Sequence, residues 1–275
     1  MVIEPHRVNF VKNSNSLPRS PAKSTIGQPF VELTTVDSTN IYAMDHLQAN
    51  LAAHGTVFFA HNQTAGKGQR GKIWVSEPGS NIAMSVILDC SFLSLGHQFP
   101  ISVAVSLACY DLFAVYAGKQ TFIKWPNDIY WRDRKAGGIL IETQIRGNKW
   151  QGAVAGIGLN INQAHFPQQA QNPVSLKQIT GKDFDTVSLA KELCGHLEKR
   201  YQQLKKGEEA AMLSEYNAHL FKKGQEVKLK KGPVVFSATI AGVSANGELQ
   251  VLNGIDESFR FGEIQWMLPG VGDKN

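Results

Sequence analysis

From about residue 30 to residue 221 the chain alternates between strand-like and helix-like patterns of apolar positions. The tetrapeptide Asp-Ser-Thr-Asn at 37–40 is a typical helix start. Four apolar residues then recur at helical intervals from Ile41 to Leu51, and Gly55 follows as a stop signal. This spacing predicts an amphipathic helix that begins near residue 39 and continues towards Gly55.

The same patterns predict the other elements of this part of the chain. Strands are expected at 57–60, 82–88, 121–125 and from 153 onward, and helices at 101–116, 186–206 and 208–221. Residues 129–131 and 138–141 are the apolar arms of a predicted hairpin with the charged tip Arg132-Asp133-Arg134. These elements predict one large domain that mixes strands and helices.

The sequence pattern of the chain changes at residue 222. Beyond it, short β-type segments are separated by the turn dipeptides Gly-Pro at 232, Asn-Gly at 246 and Asn-Gly at 253. These features predict a separate small β domain, and about 50 residues suffice for it to close as a small barrel packed on the main domain.

Composition and charge exclude several classes of protein. The chain has 275 residues, 43% of them hydrophobic, and no apolar run approaches the roughly 20 residues that a membrane helix requires. The formal charge of +5 is concentrated in residues 1–28, where four basic residues and one acidic residue give +3. Residues 1–30 are therefore predicted to be a disordered basic tail, and the rest of the chain gives little reason to expect nucleic acid or membrane as a partner.

The three cysteines, Cys90, Cys109 and Cys194, are odd in number and far apart. They form no Cys-x-x-Cys pattern, so neither a disulfide framework nor a zinc site is predicted. This usage indicates a reducing compartment, and we expect a cytoplasmic protein.

The stretch GKGQRG at 66–71 matches the pattern G-x-G-x-x-G, which is also found in dinucleotide-binding sites. Such a site needs a helix that opens within the glycines, but Pro78, Gly79 and Asn81 follow instead. We therefore interpret the stretch as a flexible loop that carries Lys67 and Arg70 and folds over an anion.

The stretch KWPND at 124–128 and the return arm from Lys135 carry further candidate chemistry. If the hairpin turn centres between Arg132 and Asp133, Tyr130 faces Lys135 and Asp128 faces Gly137. Asp128 and Lys135 then share one face as diagonal neighbours, about 5 to 8 Å apart between Cβ atoms. Because Gly137 and Gly138 lack Cβ atoms, a ligand could lie against the backbone there.

Each of these residues also has an ordinary structural interpretation. Asp128 and Lys135 could form a surface salt bridge, Lys124 could be an edge lysine with an exposed tip, and Asn160 could cap a turn.

Taken together, four blocks of the chain resemble the biotin protein ligase family. The blocks are DSTN at 37–40, QTAGKGQRGKIW at 63–74, KWPNDIYWRDRKAGGILIE at 124–142 and GIGLNIN at 156–162. The resemblance covers about residues 31–270, and the combination of KWPND with K-x-G-G-I-L is specific to that family.

The resemblance implies an ATP-dependent ligase. Biotin and ATP would form biotinyl-5′-adenylate, and a lysine of a biotin carboxyl carrier protein would take the biotinyl group as an amide. The implied fold is α+β, a mixed β-sheet with helices on one side, as in class II synthetases, followed by a Src-homology-3-like barrel. We expect the catalytic domain at 31–221 and the barrel at 222–270. The oligomeric state, monomer or homodimer, stays open.

The resemblance also implies roles for particular residues. The biotin site would use Ser38, Thr39, Asn40, Gln63, Gly66, Lys67, Trp74, Lys135 and Gly138; the ATP site would use Lys67, Gln69, Arg70, Lys124, Asn127 and Asn160; and catalysis would depend on Lys135, Asp128 and Arg70. Magnesium would accompany the phosphates, with no residue assigned as its ligand. The segment that would bind adenine departs from the family pattern and offers Phe166 or Val174.

These residue types suit the adenylation reaction, because it joins two anions and cationic side chains stabilise the charge that develops. Transfer requires a neutral amine, whereas a free lysine has a pKa of about 10.4, so a carboxylate that accepts the proton would help. We expect Asp128 to be that carboxylate. The glycine loop would close over the adenylate and exclude water.

Two other functions stay open. A lipoate or octanoate ligase of the same fold is the alternative enzyme, although it gives no reason for KWPND or the C-terminal barrel. A nucleic-acid-binding protein would use the lysines of the β domain, namely Lys222, Lys223, Lys228, Lys230 and Lys231. Only 36 residues precede Asp37, which is too few for the winged helix of repressor-type relatives, so we expect no DNA binding.

Overall fold

A computed structural model describes residues 25–147, 149–168, 170 and 172–267. The main sheet has seven strands: β1 (Phe30–Leu33), β2 (Val57–Ala60), β3 (Asn81–Leu88), β4 (Thr121–Lys124), β5 (Asp128–Trp131), β6 (Arg134–Arg146) and β7 (Lys149–Asn160). Their order is β1-β2-β3-β7-β6-β5-β4, with β1 and β2 parallel and all other neighbours antiparallel.

Five helices accompany this sheet in the described part of the chain. They are α1 (Thr39–Gln48), α2 (Phe99–Ala117), α3 (Leu176–Thr180), α4 (Thr186–Lys205) and α5 (Glu209–Ala218). The helix predicted after the DSTN stretch is confirmed, but it ends at Gln48 instead of continuing towards Gly55. Asn50 takes a left-handed conformation, φ 54°, which ends the helix and leaves Leu51 60% exposed.

Apolar side chains cover both faces of the main sheet. On one face, Phe58 of β2 and Ile87 of β3 pack with Ala43 of α1. On the other face, the alternate positions, such as Phe59 and Met84, pack with α2 and α4. The predicted α+β class and mixed sheet are confirmed, and one detail differs: α1 lies on the face opposite to α2 and α4.

The helix α2 is apolar around its whole circumference because the sheet and α4 cover it. Together with the following turn, Phe99–Gln120 is long and apolar enough to cross a membrane by composition, but 56% of its most apolar window is buried inside the protein. A buried core helix has the same composition, so this helix is weak evidence for a membrane span.

The C-terminal strands form a second sheet, and the predicted small β domain is thereby confirmed. Its strands are β8 (Glu226–Lys231), β9 (Val234–Val243), β10 (Leu249–Leu252), β11 (Ser258–Phe259) and β12 (Gln265–Trp266). The order is β11-β10-β9-β8-β12, so in the described residues β11 and β12 are edges and the hydrogen bonds do not close a ring. The division at 221 and 222 stays a prediction.

The two sheets share one continuous core. Buried residues of the second sheet, such as Leu229 and Ile240, belong to the same apolar cluster as the main sheet and α2. Trp125 donates from Nε1 to the carbonyl of Gly247 at 2.9 Å, and Asn217 of α5 exchanges two hydrogen bonds with the backbone of Val243. The second sheet is therefore held against the KWPND segment.

Of the predicted N-terminal tail, residues 1–24 lie outside the described residues. Residues 25–29 lead into β1, and Ile26 is buried in the core, where its backbone N–H donates to Glu198 Oε2 at 2.9 Å. The folded part of the chain therefore begins before residue 30.

Candidate functional site

Small residues form a flat floor at the centre of the main sheet, on the face that carries α1. Asp128 pairs with Gly138, Gly138 with Gly158, and Gly158 with Ala83, so this row of neighbours shares one face. Three of the four side chains are hydrogen or methyl, so a flat group can lie against the backbone: the Trp74 ring does so at Gly158, and Gly138 is left open to a ligand.

Lys135 and Asp128 lie at the end of this floor. Lys135 Nζ is 2.7 Å from Asp128 Oδ1, and the two side chains are 28% and 15% exposed. The predicted placement on one face is confirmed, and partial burial distinguishes this pair from an ordinary surface salt bridge. A cationic and an anionic group are thus both available beside Gly138.

The register of the hairpin differs from the predicted one by one residue. Trp131 pairs with Arg134 and Tyr130 with Lys135, as expected, but Asp128 pairs with Gly138 instead of Gly137. A bulge at Ala136 of β6 inserts the extra residue. It leaves Gly138 facing the candidate site.

Gly137 faces the opposite side of the sheet, so the expectation that a ligand lies against it is wrong. A Cβ atom at Gly137 would collide with Leu159 and would lie 2.7 Å from the carbonyl oxygen of Gly158. This glycine is required for close packing of β6 on β7. Gly138 alone of the pair is open to a ligand.

Lys124 is buried next to the same carboxylate. It pairs with Asp128 across β4 and β5, is 8% exposed, and its Nζ lies over the rings of Tyr130 and Trp266 at 5.4 and 5.0 Å from their centroids. Loss of hydration on burial lowers the pKa of Lys124 to about 8, and Asp128 opposes this shift. The interpretation of Lys124 as an edge lysine with an exposed tip is therefore wrong.

A second group of candidates surrounds the N-terminus of α1. Thr39 donates through its backbone N–H and through Oγ1 to Gln63 Oε1, at 2.8 and 3.1 Å. Asn40 Nδ2 donates to Glu142 Oε2 at 2.9 Å, and Ser85 Oγ lies within hydrogen-bond distance of Asn40 Oδ1 and Thr39 Oγ1, at 2.6 and 2.8 Å. Because the oxygen of Gln63 is held by Thr39, its amide nitrogen points away from the helix.

Sequence reasoning gives Ser85 and Glu142 no role: Ser85 lies inside the predicted strand at 82–88, and Glu142 is the last residue of the block at 124–142. Ser38, at the position preceding the helix, is 1% exposed and its N–H is held by Asp37 Oδ1 at 2.6 Å. Asn40 is fully engaged in this network, and its carboxamide occupies the space that a side chain at Gly156 would fill. Asn40 is thereby linked to Thr39 through Ser85.

Trp74 connects the two groups. Its ring covers Gly158, where an added Cβ would lie 2.6 Å from Trp74 Cε2. Trp74 is held by backbone hydrogen bonding to Gly66, and a Cβ on Gly66 would lie 2.5 Å from the Trp74 carbonyl oxygen. The indole Nε1 is buried without an acceptor within the described residues. The Trp74 ring thus lies over the Gly158 end of the floor, and its role as a wall of the biotin pocket stays a prediction.

The glycine loop is folded back on itself and no helix follows it, in agreement with the rejection of a dinucleotide site. Lys67 is exposed, and its backbone forms an isolated antiparallel β-bridge with Ile73. The side-chain amide of Gln69 donates to the carbonyl of Ile139 at 3.5 Å. Arg70 has φ 55°, donates to the carbonyl of Gly262 at 3.1 Å and lies 5.7 Å from the ring centroid of Phe261. In this conformation Arg70 is attached to the second sheet and does not join the Lys135 group.

The two candidate asparagines have mainly structural contacts. Asn127 Nδ2 donates to the carbonyl of Ile139 at 2.5 Å. Asn160 is 4% exposed, and its Nδ2 donates to the carbonyls of Lys135 and Val174 at 3.3 and 3.1 Å. The interpretation of Asn160 as a turn-capping residue therefore fits its geometry. The hydrogen bond to the carbonyl of Lys135 places Asn160 next to that lysine. Val174 is fully buried, whereas Phe166, the other candidate of the adenine segment, is partly exposed.

A cavity of about 570 Å³ lies on the other face of the sheet, next to α2 and the second sheet. Its lining includes Ile139, Ser102, Phe261 and two candidate residues, Gln69 and Asn127. The remaining candidates lie outside it. The glycine floor and this cavity are therefore two separate features that meet at Asn127.

The resemblance implies that magnesium binds together with ATP. Within the part of the chain that the structure describes, no three His, Cys, Asp or Glu side chains are grouped closely enough to hold a metal ion. Mg²⁺ commonly binds through substrate phosphates and keeps several waters, so an ion that is brought by ATP does not need such a group.

Comparison with known proteins agrees with this geometry. Residues 32–160 match the biotin/lipoate A/B protein ligase family. The bifunctional ligase/repressor BirA of Bacillus spizizenii is 33% identical over 180 residues, which cover 64% of this chain and 55% of the relative. The biotin acetyl-CoA-carboxylase ligase of Paracoccus denitrificans is 29% identical over 228 residues, which cover 81% of this chain and 93% of the relative. The chain spans about half the length of the Bacillus relative.

The fold is also similar to solved structures. The biotin protein ligase from Aquifex aeolicus in complex with biotin and ATP matches with a TM-score of 0.72 and 24% identity, over 86% of this chain and 97% of that chain. At this identity the likeness concerns the fold. The family match itself concerns residues 32–160, so this part of the chain is similar to the biotin/lipoate A/B protein ligase domain.

Proposed function

We propose that this chain is a biotin protein ligase, which activates biotin with ATP and transfers it to a lysine of a biotin carboxyl carrier protein. The observation that carries the proposal is the partly buried Lys135–Asp128 pair over Gly138, with Lys124 on the same face. The names of the curated relatives support biotin as the substrate and a carboxylase subunit as the acceptor.

In the first step, a carboxylate oxygen of biotin attacks the α-phosphorus of ATP, the bond to the β-phosphate breaks and pyrophosphate leaves. Both reactants are anions, so the reaction requires positive charge that is fixed before they meet. Lys135 and Lys124 would supply it from the strands, and a magnesium ion bound with ATP would add positive charge. The glycine floor lets the reacting carboxylate approach the backbone beside Lys135.

In the second step, the lysine amine of the carrier attacks the carbonyl carbon of the adenylate, the amide forms and AMP leaves. Asp128 accepts the proton that the amine loses. The ion pair holds this carboxylate beside the place where Lys135 would contact the adenylate. Lys67 and Arg70 would join when the loop closes, which requires Arg70 to leave Gly262.

Specificity for the bicyclic head of biotin would come from the group around α1. Gln63 is oriented by Thr39, so its amide nitrogen is free to donate to an acceptor such as the urea oxygen. Trp74 would cover the apolar part of the ligand. These roles for Ser38, Thr39, Gln63 and Trp74 are part of the proposal.

The proposal places the protein in the cytoplasm, where carrier domains and ATP are available. The three cysteines are free and buried, which is compatible with a reducing compartment. A lipoate or octanoate ligase is the alternative within the same family.

The decisive experiment is the exchange of labelled pyrophosphate into ATP. Exchange that depends on biotin is expected, because the adenylation step is reversible, and lipoate and octanoate serve as controls. Exchange that depends on lipoate or octanoate and not on biotin would assign the alternative, and no exchange with any of these acids would remove adenylation from the proposal.

A further inference from the structure

The second sheet touches the candidate site through Trp266. This residue lies in the edge strand β12, where it pairs with Leu229 of β8, and the backbone N–H of Met267 donates to the carbonyl of Lys228 at 2.9 Å. The position of Trp266 is thus fixed by the second sheet. Its ring, however, lies against the main sheet, with its centroid 5.0 Å from Lys124 Nζ.

Lys124 is held between two rings that come from different parts of the fold. Tyr130 belongs to the same sheet as Lys124, whereas Trp266 comes from a segment 142 residues later in the chain. Phe221 packs against both Tyr130 and Trp266, with ring centroids 5.0 and 6.0 Å away. This aromatic enclosure leaves Lys124 only 8% exposed.

We propose that Trp266 is a positioning residue for the adenylation step: its ring holds the Lys124 ammonium group beside Asp128 and shields it from water. The inference rests on the proposed function for its catalytic consequence. It makes the C-terminal sheet a part of the active site, because only β12 brings a side chain onto Lys124 among the described residues of that sheet.

The physical reason is the cost of removing water from a lysine. An ammonium group in water must lose part of its hydration before it contacts a phosphate, whereas an enclosed group has already lost it in folding. Electrostatic attraction is also stronger where water is excluded. The face of an aromatic ring partly replaces the lost water. Trp266 therefore prepares Lys124 for an anionic ligand.

The charged groups around Lys124 determine how its protonation should respond. Burial lowers the pKa of Lys124 to about 8, Asp128 of β5 raises it, and Lys135 of β6 and Lys72 of the glycine loop lower it. The hydroxyl of Tyr130 on the same enclosure stays neutral because burial raises its pKa further. If the enclosure is opened to water, the ammonium group regains hydration and the pKa of Lys124 should rise. If the ring is removed while Lys124 stays buried, the cation loses a stabilising contact and its pKa should fall.

The test is an NMR titration of the lysine side chains labelled with ¹³C at Cε, with Lys124→Arg to identify the Lys124 signal. Trp266→Ala should move the titration midpoint upward from about 8, towards the ordinary value of 10.5. Trp266→Leu keeps the apolar packing of β12 and should move it downward. Phe236→Ala, which loosens the same sheet at its packing on Phe259, is the control and should leave the midpoint unchanged.

Kinetics supply the second measurement. In the biotin-dependent exchange assay, Trp266→Ala should raise the KM for ATP about five- to tenfold, the size expected of one desolvated cation–π contact, with the KM for biotin near that of the parent. Trp266→Phe should restore most of this loss. A midpoint of Lys124 that is unchanged in both folded Trp266→Ala and Trp266→Leu would overturn the inference. A parent protein with no exchange activity would instead defeat the proposed function, since the titration does not depend on activity.

Discussion

The neighbouring glycines Gly137 and Gly138 should respond to the same substitution in opposite ways. An alanine at 137 places a Cβ against Leu159 and only 2.7 Å from the carbonyl oxygen of Gly158. The leucine could rotate away, but the backbone oxygen can move only with the strand. Overpacking of this kind costs about 1–3 kcal/mol, so Gly137→Ala should lower the melting temperature by roughly 3–10 °C.

An alanine at 138 meets a different environment. Its Cβ would lie 3.4 Å from Asp128 Oδ1 and 3.5 Å from Lys135 Nζ, which are ordinary contact distances. The fold should therefore keep its melting temperature within about 2 °C, since less than about 0.5 kcal/mol is at stake. The methyl group, however, occupies the surface beside Lys135 on which the biotin carboxylate would lie. We expect the KM for biotin to rise at least about tenfold, which corresponds to about 1.4 kcal/mol.

Thermal unfolding followed by fluorescence and biotin-dependent pyrophosphate exchange would measure the two effects separately. Each variant is the control of the other, because both add one methyl group to adjacent residues of β6. If Gly138→Ala loses stability while its KM for biotin is unchanged, the assignment of Gly138 to the ligand floor is wrong. If Gly137→Ala is as stable as the parent, the packing argument for β6 on β7 is wrong.

Four further changes test other parts of the structure. Asp128→Asn should slow transfer from preformed adenylate more than adenylate formation, because the amide cannot accept the proton of the amine; equal slowing of both steps, measured by rapid quench, would contradict its role as a base. Gly262 has φ 92°, and an alanine there places a Cβ 2.8 Å from the Arg70 guanidinium. Gly262→Ala should therefore release Arg70 and speed proteolytic cleavage of the glycine loop. An unchanged cleavage rate would show that this contact does not hold the loop. Arg200→Met should destabilise the protein by about 3 kcal/mol, because Arg200 is 4% exposed and its guanidinium donates to two carboxylates, one of them Glu215. A loss of less than about 1 kcal/mol in the free energy of unfolding, measured in urea, would contradict this. The hydrogen bond from Arg200 lowers the pKa of Glu215 below its ordinary value of 4.5. The stability that Glu215 contributes is therefore present above pH 4.5 and is lost as the pH falls through the lowered pKa. Unfolding of Glu215→Gln and of the parent as a function of pH would measure this loss.

Much of the secondary structure could be predicted because its signals are local. The helix α2 was predicted within two residues at its start, since a long apolar run bounded by loop formers has few alternatives. The hairpin turn at Arg132 and Asp133 and the shared face of Asp128 and Lys135 follow from the alternation of side chains along strands. The end of α1 was placed too late, because the left-handed conformation of Asn50 competes with an apolar pattern that still favours helix.

Other features depended on contacts between distant parts of the chain. The bulge at Ala136 shifts the register by one residue, and nothing in the hairpin sequence distinguishes it from regular pairing. Ser85 and Glu142 became part of the candidate site only because α1 packs on their side of the sheet. The attachment of Arg70 to Gly262 joins residues 192 positions apart.

The sequence by itself determined which residue types are available and where strands and helices form, because these depend on periodicity, capping and turn chemistry within a few residues. Tertiary structure decided which glycine faces the ligand, which side of the sheet α1 covers, and which aromatic ring encloses Lys124. Those outcomes minimise the free energy of packing over the whole chain, and the Trp266 ring reaches Lys124 only because the second sheet docks on the KWPND segment.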